Sequence, residues 1–289
     1  MTFKKLFLLG LLTFSCTLPV QAMERKRVTT TQTSIKKAPT SRKKLYDPSS
    51  KEPFKVSRSK LTLFLKCPRC FYLDCRFGIK QPAGFPFTLN SAVDTLLKKE
   101  FDYFRAKQEP HPIFIENDIH AIPFSHPEID KWRDPLHHGI QYLVPETNIL
   151  FYGAIDDIWF NTETKELIIA DYKATSKAAK ITLDAEWQID YKRQVEIYQW
   201  LFIKNGFKVS DTAYFVYCNA IKDADLFDNH LKFVTTLLPY KGDTSWVEDA
   251  IIAAYELLQS DELPPINQEC AHCKYFKSVF DALLEKKKI

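Results

Sequence analysis

Asp156 and Asp171 stand in stretches that otherwise read as largely apolar strands, and this placement constrains the chain more than any other feature. ILFYGAIDDIWF (149–160) and ELIIADYKA (166–174) have the β-branched and aromatic enrichment of buried strands. The turn-like Asn161-Thr162-Glu163-Thr164 between them predicts a hairpin. Asp156 follows Gly153-Ala154-Ile155 inside the first strand, and Asp171 follows Ile168-Ile169-Ala170 at the end of the second. A carboxylate in such surroundings is costly unless it is paired or bound to a metal. Two of them on adjacent strands repel unless a cation sits between. Hard oxygen ligands of this kind suit Mg²⁺ or Mn²⁺. Lys173 lies two residues beyond Asp171, so strand alternation points both side chains to one face, where a lysine can orient a water as the ammonium or deprotonate it as the neutral amine. An isolated Asp-x-Lys is, by itself, more often a salt bridge at a strand end.

The surrounding periodicities place this hairpin among helices. SRSKLTLFLKCPRCFYL sets Leu61, Phe64, Leu65, Phe71 and Tyr72 at near-helical spacing, with Ser57 or Ser59 as N-cap, so ordered structure is expected from about Phe54. A second helix is predicted over 89–104, with Val93, Leu96, Leu97, Phe101 and Phe104 as its apolar face. Residues 108–148 are Pro- and His-rich and read as loops and short elements over one side of the core. A helix over 184–204 carries Val195, Tyr198, Leu201 and Phe202, and Gln194 and Tyr198, at i and i+4, put polar handles into that stripe. TAYFVYC (212–218) reads as a strand and 246–258 as the final helix. This order suggests an α/β sandwich around a mixed sheet.

Composition narrows the function classes. Hydrophobic residues at 45% and charged residues at 26% are globular proportions that argue against a multi-span membrane protein. With only 7 Gly and no G-x-G-x-x-G or G-x-x-x-x-G-K string, nucleotide-driven chemistry is disfavoured. The net charge of +4 is unevenly placed. Residues 24–60 are crowded with Lys and Arg, among them Lys43, Lys44, Arg58 and Lys60, against only Glu24, Asp47 and Glu52. Such an arm either attracts phosphate or is a solvated linker.

Before the arm, Lys4 and Lys5 precede the apolar run Leu6 to Phe14, and Val20-Gln21-Ala22 resembles a small-residue cleavage site. The run is short for a membrane span, so no integral span is expected. The expected organisation is a signal-peptide-like leader at 1–22, a basic disordered linker at 23–54 and a folded domain at 55–289. Export follows if the leader is cleaved, and a cytoplasmic protein if translation starts at Met23.

The order Gly153-x-x-Asp156, Asp171-x-Lys173 and Gln194-x-x-x-Tyr198 resembles the RecB-like branch of the PD-(D/E)XK nucleases, which includes CRISPR-associated exonucleases. Ser57-Arg58-Ser59-Lys60-Leu61 through Cys67-Pro68-Arg69 is similar to the opening of that branch. The resemblance implies a restriction-endonuclease-like core, a central mixed β-sheet flanked by helices. It also implies that Asp156 and Asp171 bind Mg²⁺ or Mn²⁺, that Lys173 activates water, and that Gln194 and Tyr198 help place the scissile strand. One position departs from the pattern: Asp94 stands where the branch has a metal-binding histidine, after Asn90 in place of a glycine. An aspartate can also ligate a hard cation, so Asp94 joins the candidate metal ligands.

Cys67-Pro68-Arg69-Cys70 and Cys270-Ala271-His272-Cys273 are paired C-x-x-C units whose spacing suits one tetrahedral metal. The resemblance implies a four-iron four-sulfur cluster held by one N-terminal and three C-terminal cysteines. Here the last C-terminal cysteine is missing and Cys70 is extra, which keeps structural zinc open beside the cluster. Disulfides in an exported protein and buried free thiols are the other readings.

Together these features lead us to expect a metal-dependent nuclease that hydrolyses DNA, or RNA, without sequence specificity. The rival class is a nucleic-acid-binding protein that keeps the fold but has weakened metal binding. A secreted protein with structural disulfides is a third. A helicase or repair partner is not specified by the sequence.

Overall fold

Proline breaks the first predicted helix in two. In the computed structural model, which describes residues 44–84 and 88–286, β1 (Phe54–Ser57) leads directly into α1 (Arg58–Lys66). The Ser57 hydroxyl caps α1 by accepting the Lys60 backbone N–H at 3.3 Å, as the N-cap expectation required. Cys67, the residue before Pro68, is extended, and Pro68 opens α2 (Pro68–Phe77). Gly78 ends α2 in the left-handed region at φ 73°. The leader 1–22, the linker through residue 43 and the candidate Lys43 lie outside the described residues.

α3 (Thr88–Lys107) buries Leu97, Phe101 and Arg105, a stripe with a four-residue step. The predicted face was wider: Leu96 is 63% exposed, because α3 meets the sheet along one narrow line. Residues 108–148 hold α4 (Pro112–Glu116), β2 (Ala121–Pro123), α5 (Ile129–Trp132) and β3 (Ile140–Leu143). The short elements expected in this segment thus include two edge strands.

The run 149–160 does not form one strand. β4 (Ile149–Gly153) stops at Gly153, residues 154–156 turn a corner, and β5 (Asp157–Asn161) begins in a different sheet. β4 pairs in parallel with β1 and antiparallel with β3, giving a three-stranded sheet. β5 pairs antiparallel with β6 (Leu167–Thr175), completing the predicted turn, and β2 flanks β5. After a 3-10 turn (Glu186–Gln188) come α6 (Ile189–Lys204), β7 (Thr212–Ala220), β8 (Phe233–Lys241), α7 (Ser245–Gln259) and α8 (Ala271–Glu285). β7 runs parallel to β6 and antiparallel to β8, so the larger sheet has the order β2-β5-β6-β7-β8. The fold is mixed α/β, with two mixed sheets flanked by helices. β8 is an edge strand absent from the expected elements, in which Pro239 interrupts the β-branched and aromatic run FVTTLL. α8 follows the helix expected to be last.

Both faces of the larger sheet are covered. Ile158, Ile169 and Phe215 pack with Val195, Leu201 and Phe202 of α6 and with Val247 and Ile251 of α7. Trp159, Ile168 and Val216 pack on the opposite side with Leu97, Phe101 and Phe114. This double burial is why β5 and β6 read as continuous apolar runs rather than as alternating ones. Strand alternation therefore aims Asp171 and Lys173 toward α6, and Tyr172 toward α3.

Candidate active site

A cleft of about 550 Å³ opens where β6, the 154–156 corner, α3, α6 and the start of α1 converge, and its lining includes Arg58, Asn90, Asp94, Asp156, Lys173, Tyr191 and Gln194. Asp171 is fully buried behind this lining, in ionic contact with Lys173. Asp156, expected inside a strand, occupies the corner between two sheets. There the Tyr172 backbone N–H donates to its Oδ2 at 2.9 Å and holds it beside the Asp171–Lys173 segment.

Lys173 Nζ is in ionic contact with Asp171 Oδ2. Apart from that ion pair, no donor among the described residues hydrogen-bonds either Asp171 oxygen. Burial pushes the Asp171 carboxyl up to about 7; Asp156 adds to the rise, while Lys173 and Arg58 oppose it. Burial alone would lower the Lys173 pKa, but Asp171 and Asp156 outweigh it and raise the pKa above the ordinary lysine value. The Lys173 ammonium also sits 4.6 Å from the centroid of the Tyr191 ring.

α6 contributes the Gln194–Tyr198 pair, with Gln194 Nε2 donating to Tyr198 Oη at 3.2 Å. Arg58, grouped by sequence with the basic arm, instead enters the cleft from the first residue of α1. It contacts the Tyr198 hydroxyl and faces Asp171 and Asp156. On α3, Asp94 Oδ2 pairs with Lys98 Nζ at 3.0 Å, and the same ammonium lies 3.9 Å from Asp156 Oδ1. Asn90 Nδ2 donates to the Ala174 carbonyl at 3.1 Å and ties the first turn of α3 to the end of β6.

A model of the PD-(D/E)XK nuclease superfamily matches residues 55–278. The chain belongs to this superfamily. No protein of curated function matches the sequence. The crystal structure of SSO0001 is similar over 77% of this chain and 84% of its own, at 14% identity and a TM-score of 0.35.

Membership in the PD-(D/E)XK superfamily implies a phosphodiester-cleaving nuclease with a nucleic-acid substrate, and these nucleases use divalent metals. The donor set here fits such an ion. Asp171 is a sealed carboxylate short of hydrogen-bond donors, and Asp156 and Asp94 present carboxylate oxygens of the same hardness to the cleft.

Not every candidate reaches the PD-(D/E)XK cleft. Lys60 turns into the α1–α2 packing, where its ammonium lies 3.3 Å from Asp74. Lys44 stays on the surface, 3.5 Å from Glu52. The cysteine pairs do converge: the four sulfurs of Cys67, Cys70, Cys270 and Cys273 lie within 4.8 Å of one another.

Sequence reasoning gave no role to Lys98 or Tyr191, although each carries a helical-spacing signal: Lys98 is four residues after Asp94, and Tyr191 three before Gln194. It also passed over Asp157. This fully buried carboxylate contacts Arg105, accepts from Arg133 Nη2 at 2.6 Å and accepts from the Tyr172 hydroxyl at 2.7 Å. Asp156 and Asp157 thus serve opposite sides of the sheet, one in the cleft and one locked behind it. The lock fixes the start of β5 and, with it, the corner that presents Asp156.

No helix among the described residues is long and apolar enough to cross a membrane.

Proposed function

We propose that this chain is a RecB-like PD-(D/E)XK nuclease that hydrolyses DNA phosphodiester bonds with Mg²⁺ or Mn²⁺ and without sequence preference. The observation that carries the reading is the meeting of Asp94, Asp156, Lys173, Gln194 and Arg58 in one cleft over the buried Asp171. Asp156 and Asp171, with Asp94, would hold the metal, which when bound polarises the phosphate and acidifies a water. Lys173, held charged by its two aspartate neighbours, orients that water and balances charge on the attacked phosphate. Arg58 offers a guanidinium for a phosphate oxygen, and Gln194 and Tyr198 position both Arg58 and the strand. Backbone contacts of this kind carry no base information, which is why sequence specificity is not expected.

The reading is tested by incubating the purified chain with single- and double-stranded DNA and RNA, with and without Mg²⁺ or Mn²⁺. Metal-dependent cleavage of DNA that is lost in Lys173→Ala supports it. A second reading, a nuclease fold with weakened metal binding that only binds nucleic acid, draws on Lys98, whose ammonium occupies the space between Asp94 and Asp156. Nucleic-acid binding with no cleavage at any metal concentration would favour that reading.

A further inference from the structure

Cys67 and Cys70 flank the start of α2, and Cys270 and Cys273 flank the start of α8. The sulfur of Cys67 lies 3.6 Å from that of Cys273, and the sulfur of Cys70 lies 3.8 Å from those of both Cys270 and Cys273. Four thiolates bound to one tetrahedral zinc at about 2.3 Å are spaced about 3.8 Å apart. A four-iron cube binds each thiolate through a separate iron and spreads the sulfurs to about 6 Å. Disulfides would bring paired sulfurs to about 2 Å, well inside the 3.6–3.8 Å found here. The spacing therefore does not fit the cluster that the family resemblance implied, and it does fit a single ion. From it we infer that these four cysteines form a mononuclear structural zinc centre clamping α2 to α8.

The surroundings are built for such a centre. Cys67, Cys70 and Cys273 are buried, with Leu63 and Ile266 packed against them. The two segments are docked independently of any metal: Arg69 donates to the Pro264 carbonyl at 2.7 Å, and Asn267 donates to the Lys66 carbonyl at 2.8 Å. The thiols are thus preorganised rather than gathered on binding. Backbone N–H groups of the two helix starts point at Cys67 and Cys270, and Gln81 Nε2 lies 3.8 Å from the Cys270 sulfur. Donors around the sulfurs stabilise the negative charge that four thiolates leave on a divalent ion. Binding releases the thiol protons to solvent and changes no oxidation state. A tetrahedral all-sulfur site selects zinc over Mg²⁺ and Mn²⁺, so the centre is chemically separate from the carboxylate cleft.

The test is elemental analysis and visible spectroscopy of the full chain, purified without chelator from cells grown in ordinary medium. The expected result is about one zinc per chain and a colourless protein, and exchange with Co²⁺ should give the intense visible bands of tetrahedral cobalt thiolate. Cys270→Ser/Cys273→Ser should lose the zinc and make α8 the first site of limited proteolysis. Asp171→Asn should keep the zinc, which separates this outcome from the fate of the nuclease reading. Iron and acid-labile sulfide at about four each per chain with broad visible absorption would overturn the proposal. Mapped disulfides among these cysteines, or four free thiols that remain titratable after incubation with zinc, would overturn it equally. Should the serine variant fail to fold, the metal content of the unaltered chain decides the matter.

Discussion

A Cβ placed on Gly153 would lie 2.7 Å from Cε1 of Tyr198. The last residue of β4 and a central residue of α6 therefore touch with no room for a methyl group. Gly153→Ala must shift either the strand or the tyrosine, an overpacking that costs about 1–3 kcal/mol. Because Tyr198 contacts both Gln194 and Arg58, the cleavage rate should fall together with stability. Urea unfolding and a cleavage assay check this; a variant unchanged in both would show that the contact is not rigid.

Lys173→Ala should lower cleavage by about 10²–10⁴-fold while metal binding persists, since it removes the group proposed to orient water but no oxygen ligand. Asp171→Asn, by contrast, should weaken the metal itself. Calorimetric titration with Mn²⁺ alongside the rate separates the two losses. Undiminished cleavage by Lys173→Ala would refute its role.

Asp94 and Lys98 should move the metal requirement in opposite directions. Asp94→Ala removes a candidate ligand and should raise the concentration of Mg²⁺ needed for half-maximal activity. Lys98→Met keeps the aliphatic stem but removes the cation between Asp94 and Asp156, and should lower it. Equal shifts in both variants, or none, would return the pair to an ordinary helix-surface ion pair.

Without added Mg²⁺ or Mn²⁺, stability should fall as pH rises from about 4 toward about 7. Burial raises the Asp171 carboxyl to about 7 in the folded chain, above its unfolded value near 3.8. Between those values the folded state keeps a proton that the unfolded state has released, so each step up in pH favours unfolding. Above the folded pKa the loss is complete. Asp171→Asn should flatten this slope, and denaturant unfolding at about pH 5 and about pH 8 compares the two chains.

Asp157→Ala should be among the most damaging single changes, costing about 3–5 kcal/mol, because it leaves Arg105 and Arg133 without their shared buried carboxylate. Thermal unfolding measures this. A shift within the range of a surface mutation would show that water reaches the arginines.

The sequence was most legible where local chemistry is unusual in its setting. Asp171 and Lys173 could be read as a candidate site because a charge in a doubly buried strand demands a partner, and Ser57 could be read as a cap because capping is local. Gln194 and Tyr198 stood out as polar groups within an apolar helical stripe. Leu96 was misread because helical spacing shows which residues share a face but not how wide the surface is that the helix meets. β8 went unread because Pro239 breaks its run, although Phe233 and Leu237 pack on one side of the sheet and Leu238 and Tyr240 on the other.

What the sequence marked by itself, then, was Asp94, Asp156, Asp171, Lys173, Gln194 and Tyr198 as candidates, most of the elements that carry them, and the two cysteine pairs. Only the tertiary structure decided that residues 149–160 split between two sheets and set Asp156 at their corner. It also brought Arg58 into the cleft, turned Lys60 away, placed Lys98 between two carboxylates and gathered thiols 206 positions apart around one point. The physical reason is that local propensity acts over a few residues. Charge pairing and metal-ligand spacing are set by the distances between elements, and packing alone fixes those.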